Sequence, residues 1–226
     1  MNSDRRTATI VGVLFIIGTV AGVLSVLVTG GFSMDAPAYL AKAASDPSQI
    51  QLGALLVLVM GLALAMVAAM MFPILKRQNE ALAIGYVIFR GALETFTYIA
   101  TVICWLLLVV VAGQTANSGA AVASQSSDLG ILLVDAQDQV AAVMGIVFGL
   151  GALILYYLMY RGRLIPRWIS GWGIVAAVLT LAGALIDIFG SPREIFAMPM
   201  LPQEMVMAVW LIVKGFSPST TASETR

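Results

Sequence analysis

Apolar residues run through this chain in six long stretches, about residues 8–29, 50–75, 81–113, 136–160, 168–189 and 201–216. A bilayer core of about 30 Å takes about 20 helical residues to cross, and the first five stretches meet that length. The sixth is shorter, and Met198–Met200 extend it outward to 198–216. The first stretch follows Arg5 and Arg6 as a secretion signal would. It is longer than a signal's apolar core of about 7–15 residues, and it ends in Leu27-Val28-Thr29-Gly30-Gly31, a poor cleavage site. The pattern predicts an all-α, polytopic transmembrane helix bundle of six spans forming a single domain over residues 1–216. A polar tail over 217–226 is expected to be disordered and cytoplasmic.

The connecting segments alternate in charge. Arg5 and Arg6 precede the first span, Lys76 and Arg77 follow the second, Arg161, Arg163 and Arg167 lie between the fourth and fifth, and Lys214 and Arg226 close the chain. The other set of loops, about 30–49, 114–135 and 190–200, holds only Lys42 and Arg193. By the positive-inside rule both termini are then cytoplasmic, in agreement with an even span count. Within the loops, Asp46-Pro47-Ser48 reads as a helix start inside an otherwise irregular segment over 32–49. The Gly-, Ala-, Ser-, Asn- and Gln-rich run over 114–128 suits a flexible outer loop. Trp168 and Trp172 suit an interfacial aromatic anchor.

Composition strengthens the membrane reading: 60% of the 226 residues are hydrophobic and 11% charged, against about 45–50% and 25% in soluble domains. Twelve basic and twelve acidic residues balance, and no basic tail is present, so nucleic acid is not an expected partner. There is no histidine and only one cysteine, Cys104 within an apolar run. The usual near-neutral acid–base group, the commonest metal ligand and any internal disulfide are thereby removed, and no cofactor or metal is expected.

Spacings of three and four place small or polar residues on one face of each helix. In the third span the face is Arg90, Glu94, Thr97, Tyr98, Thr101 and Trp105; in the fourth Asp135, Asp138, Ala142, Gly145, Gly149, Ala152 and Tyr156. In the fifth it is Gly173, Ala177, Thr180, Ala184 and Asp187, and in the first Gly18, Gly22, Ser25 and Thr29. Helix contacts in membranes favour small and hydrogen-bonding residues, so these faces point inward. Gly18-x-x-x-Gly22 and Gly145-x-x-x-Gly149 are read as packing motifs within the chain, with a homodimer face as the alternative.

Arg90 and Glu94 are four residues apart, so their side chains meet on one helix face. A lone charge at the bilayer centre costs at least about 2.5–3.5 kcal/mol, and pairing lowers that cost. One reading is a polar site with Glu94 as proton or ligand acceptor, lined onward by Tyr98 and Thr101. The other is a self-neutralising pair that pins packing; residues 95–113 alone are long enough to span, which would leave Glu94 near the interface. A second, acidic group is Asp135, Asp138, Asp187 and Glu204, expected near the outer ends of their spans. First-turn helix capping accounts for Asp135 and Glu204. Asp138 and Asp187 are assigned a shared role in the interior, where clustered carboxylates bind a cation or shift one another's titration.

Several segments also carry a resemblance. Arg5-Arg6-Thr7-Ala8-x-Ile10-Val11-Gly12, Arg90-Gly91-Ala92-Leu93-Glu94, the run from Tyr160 to Gly173 (Tyr-Arg-x-Arg-Leu-Ile-Pro-Arg-Trp-Ile-Ser-Gly-Trp-Gly), and Pro202-Gln203-Glu204-Met205 through Trp210-Leu211-Ile212-Val213-Lys214-Gly215-Phe216 together resemble the bacterial membrane proteins grouped as domain of unknown function 4386. The resemblance covers nearly the whole chain. It implies a multi-helix membrane protein, brings no assigned activity, and points again at Arg90, Glu94, Glu204 and Lys214.

No nucleotide-binding loop, Gly-x-Ser-x-Gly or His-Glu-x-x-His occurs. The leading expectation is a non-enzymatic protein of the bacterial inner membrane, in contact with membrane lipids, binding a small or lipidic ligand or a partner in a polar-lined bundle. A small transporter or ion-coupled permease using Glu94, Asp138 and Asp187 comes second. A lipid-modifying enzyme comes last, for want of His, Cys or an activated Ser.

Overall fold

The computed structural model describes residues 3–30, 36–117, 120–189, 196 and 198–217. The polar tail after Ser217, and Arg193 and Arg226 of the charge pattern, lie outside the described residues. Among the described residues there is no strand. The helices are α1 (Ser3–Thr29), α2 (Ala36–Ser45), α3 (Pro47–Leu75), α4 (Glu80–Tyr86), α5 (Glu94–Asn117), α6 (Ala120–Arg161), α7 (Arg167–Asp187) and α8 (Met200–Val213). A π-helical segment, Val87–Leu93, joins α4 to α5 in one continuous rod. Five helical runs are long and apolar enough to cross a membrane: Ser3–Thr29, Pro47–Leu75, Glu80–Gln114, Ser126–Arg161 and Arg167–Asp187. α8, at 14 residues, is apolar but shorter.

Packing closes these six into a ring in chain order. α1 lies on α3, α3 on α5, α5 on α6, α6 on α7, α7 on α8, and α8 returns to α1. The ring is built inside out, as lipid requires. Leu55, Phe96, Ile103, Leu132 and Val175 stand exposed on its outside, while Ser25, Thr29, Arg90, Glu94, Thr97, Thr180 and Gln203 are buried. The small faces of α1 and α7 point inward as their spacing predicts. Gly18 and Gly22 meet Leu64 and Met60 of α3, and Gly145 and Gly149 meet Ala184 and Leu181 of α7, so both glycine pairs are filled by helices of the same chain. A shallow apolar groove is lined by Leu82, Leu153, Ile154, Tyr157 and Ile174.

The basic residues gather at one end. Asp4 at the start of α1 forms a two-bond ion pair with Arg77, past the end of α3, at 2.6 and 3.0 Å. Arg5 donates to the last carbonyls of α8, those of Leu211, Ile212 and Val213, at 2.7–3.0 Å. Ser217 N donates to Leu164 O in the turn between α6 and α7, and Gly162 of that turn lies against Gln78. Arg5, Lys76, Arg77, Arg161, Arg163, Arg167 and Lys214 therefore share one end of the ring. At the other end Lys42 of α2 donates to Val28 O at 3.1 Å, and Leu40 and Ala43 of α2 are buried.

Three expectations are corrected. The segment 32–49 is not wholly irregular, since it contains α2; Asp46 does start α3, accepting from Gln49 N with Pro47 in the first turn. The supposed outer loop 114–128 is largely helical, because α5 runs to Asn117 and α6 begins at Ala120. That stretch has no proline and is rich in alanine, the best helix former. α6 therefore spans 42 residues, and Asp135 and Asp138 lie well inside it rather than in a first turn. The sixth span is not extended by Met198 and Pro199, which form a turn before α8.

Candidate functional site

Inside the ring, helical spacing and one irregularity build a charged centre. Arg90 sits in the π-helical segment, where the wider turn resets which side chains face inward; such insertions recur at functional sites. Its guanidinium is 2% exposed. Nη1 donates to both oxygens of Glu94 at 3.1 Å, one turn on, as the four-residue spacing predicts. Glu94 is fully buried. It also accepts from Tyr98 Oη at 2.8 Å, and its carbonyl accepts from Thr97 Oγ1 at 2.7 Å. Glu94 is therefore enclosed by the helices around it and shielded from solvent.

The second carboxylate comes from across the ring. Arg90 Nη2 donates to Glu204 Oε1 of α8 at 3.0 Å. Glu204 is thus not a capping acid of the outer group, and the reason is depth. Arg5 fixes the far end of α8, so Glu204 lies only about 14 Å in from that end at 1.5 Å per residue. Arg90, ten residues into the rod that starts at Glu80 by the same end, lies about 15 Å in. Both meet at one level.

All six ring members frame the centre. Phe15 of α1 and Phe148 of α6 present ring faces to the Arg90 guanidinium, at 5.7 and 4.7 Å from its Cζ, a favourable arrangement for a desolvated cation. Tyr98 lies on Gly61 of α3, where a Cβ would come within 3.1 Å of the ring. Tyr156 of α6 lies on Gly173 of α7, where a Cβ would come within 2.4 Å. Gln203 of α8 is fully buried and donates from Nε2 to Ile169 O of α7 at 3.1 Å. Tyr86, one turn before Arg90, is buried close to Arg90, Glu94 and Glu204, and Tyr156 is buried close to Glu204 and Gln203.

Two imbalances stand out. One guanidinium faces two carboxylates, so the ionised centre carries a net charge of −1. Also, four buried polar atoms around it, Arg90 Nε, Tyr86 Oη, Tyr156 Oη and Gln203 Oε1, make no well-formed hydrogen bond, although Tyr86 lies near Arg90 and Tyr156 near Gln203. Buried polar groups in proteins are nearly always paired, so such atoms mark where water or a ligand completes the set.

Of the residues singled out from sequence, Arg90, Glu94, Tyr98 and Glu204 come together here. Thr101 is half-buried one turn beyond Tyr98 and outside the hydrogen bonds of the centre. Asp138 and Asp187 do not join it. Asp138 is exposed and Asp187 half-exposed; with Asp135 they form a separate acidic group close enough to interact. Among the described residues no three His, Cys, Asp or Glu side chains are placed to hold a metal ion. The sequence reading missed Tyr86, Phe15, Phe148 and Gln203. Tyr86 was findable, because it lies four residues before Arg90 on the same face; the phenylalanines carried no signal among so many apolar neighbours.

No curated protein and no solved structure matches the chain. The family described as "Domain of unknown function (DUF4386)" matches residues 10–215, which takes in most of α1, the other ring helices and every residue of the charged centre. This chain is an integral membrane protein belonging to that family.

Proposed function

We propose that this protein is a non-enzymatic, multi-pass component of the bacterial cytoplasmic membrane, with both termini in the cytoplasm, whose helix ring binds a small ligand at the Arg90–Glu94–Glu204 centre. The orientation is supported by the basic residues gathered at the end that holds Asp4 and Ser217. The observation that carries the binding reading is the incompleteness of the centre: two carboxylates for one guanidinium, with four buried polar atoms unmatched around them. An ion pair that served packing alone would gain by being complete, since each unpaired buried group costs about 1–3 kcal/mol. A non-enzymatic role fits a site whose charged groups are already engaged with one another and which holds no nucleophile with an adjacent base.

The test is thermal stabilisation of the purified protein across a panel of salts, pH values, membrane lipids and polar metabolites, set beside Glu94→Gln. The reading expects at least one component to raise the melting temperature saturably in the wild type, and this response to vanish in a Glu94→Gln protein of equal folded yield. A panel that stabilises neither protein, or both equally, removes it. Ion-coupled transport is the second reading, favoured by the charge imbalance at the level where ring helices meet. It expects a ligand-dependent flux in proteoliposomes that Glu94→Gln abolishes.

A further inference from the structure

Within the centre the two carboxylates are not equivalent. Glu94 has both oxygens engaged by Arg90 Nη1 and a third bond from Tyr98. Glu204 receives one bond, on Oε1, from Arg90 Nη2. The uncompensated charge therefore sits on the Glu204 side. Glu204 is also the member that the surface reaches: its side chain is 13% exposed, against 2% for Arg90 and none for Glu94. Beside it Gln203 on α8 and Tyr156 on α6 are buried near one another, and neither Gln203 Oε1 nor Tyr156 Oη makes a well-formed hydrogen bond. The other titratable groups within reach of Glu204 are Arg90, Glu94, Tyr86 and Tyr98; on α7 the Ile169 carbonyl is already bound by Gln203 Nε2, and α1 presents the apolar face of Phe15.

We infer that the ligand of the centre is a single monovalent cation, held at Glu204 with the buried oxygens of Gln203 and Tyr156 beside it. This rests on the proposed reading of the centre as a binding site and names its occupant's class. One positive charge brings guanidinium and carboxylates to neutrality. An anion would deepen the imbalance in a hydrocarbon surround, where unpaired charge is costly. A divalent ion would overshoot, and it favours six or more oxygens with several carboxylates among them, which the site lacks. The oxygens on offer are one carboxylate, one amide and one phenol, a set that suits a weakly held alkali ion. A proton on Glu204 satisfies the same charge arithmetic, with the neighbouring oxygens then hydrogen-bonded to water.

The melting temperature of the full-length protein in detergent separates these sources. Sodium, potassium and lithium chlorides are each exchanged against N-methylglucamine chloride at fixed pH and ionic strength, and pH is then stepped at fixed salt. The wild type is expected to gain roughly 5–10 °C between an empty and a saturated site, taking occupancy at about 100 times Kd for a chain of this size. Discrimination among alkali ions identifies a metal cation; a response to pH without discrimination identifies the proton. Glu204→Gln is expected to lose the response. Tyr156→Phe, which keeps the ring on Gly173 and removes one oxygen, should weaken alkali-ion binding several-fold; it keeps the question answerable if Glu204→Gln does not fold. A wild type indifferent to cations and pH, or a Glu204→Gln protein that responds in full, overturns the inference. If a neutral or anionic solute stabilises the wild type instead, this inference falls while the binding site itself stands.

Discussion

At the scale of single residues the molecule turns on Arg90. A buried guanidinium is tolerable here because two carboxylates and two aromatic faces replace its water. Removing it alone leaves two carboxylates unpaired, and breaking a buried pair from one side costs about 3–5 kcal/mol. Arg90→Met should therefore sharply lower the yield of monodisperse protein on size exclusion. The triple replacement Arg90→Met, Glu94→Leu, Glu204→Leu should recover folded protein, because a fully apolar substitute removes every unpaired charge together. Failure of the triple variant to fold better than the single one would show that the centre is needed for packing as well as charge. Half of this arrangement is legible from the chain: Arg90 and Glu94 meet through a local spacing. The other half is not, since Glu204 lies 114 positions from Arg90. Their meeting depends on how deep α8 begins, which no periodicity records.

Helices repeat the lesson at larger size. The inward faces of α1 and α7 follow from spacing alone, because small residues among large apolar ones have one place to go. α2 and the first nine residues of α6 were hidden for the opposite reason: they are rich in alanine, serine and other small or polar residues, and read as loop when judged by hydropathy. Contacts between elements are just as tight where they can be tested. A Cβ on Gly12 of α1 would stand 2.6 Å from Ala208 O and 2.7 Å from Ile212 Cγ1 of α8. A backbone oxygen cannot step aside as a side chain can, so Gly12→Ala should lower the melting temperature by an amount equivalent to about 1–3 kcal/mol. At the polar end, hydrogen bonds from Arg77 hold the Asp4 carboxyl below its usual range, with slight burial working against them. The link between α1 and the α3–α4 turn is then present above about pH 4, the ordinary Asp value, and fades as pH falls through the lowered folded value. Both side chains are about half exposed, so the effect is small, about 0.2–1 kcal/mol. Asp4→Asn should flatten that part of the acid limb of a stability–pH curve and leave the neutral region nearly unchanged.

The whole molecule is a ring with one cationic end, on which the proposed orientation rests. Against a Cys104→Ser background, a thiol introduced by Arg161→Cys at the exposed end of α6 should resist a membrane-impermeant maleimide in intact cells and react in inverted vesicles. Labelling from outside intact cells would reverse the orientation. The clasp of Arg5 on the closing carbonyls of α8 also bears on biosynthesis. α8 leaves the ribosome after the other ring helices, is short for a membrane span, and carries the buried Gln203 and the Glu204 partner of Arg90. α1 thus waits, Arg5 uncommitted, for α8, and Arg90 waits with a single counter-charge. Docking of α8 closes the ring and balances its interior in one event, so a nascent chain stalled before Met200 leaves an open ring with a mismatched interior for quality-control proteases to find.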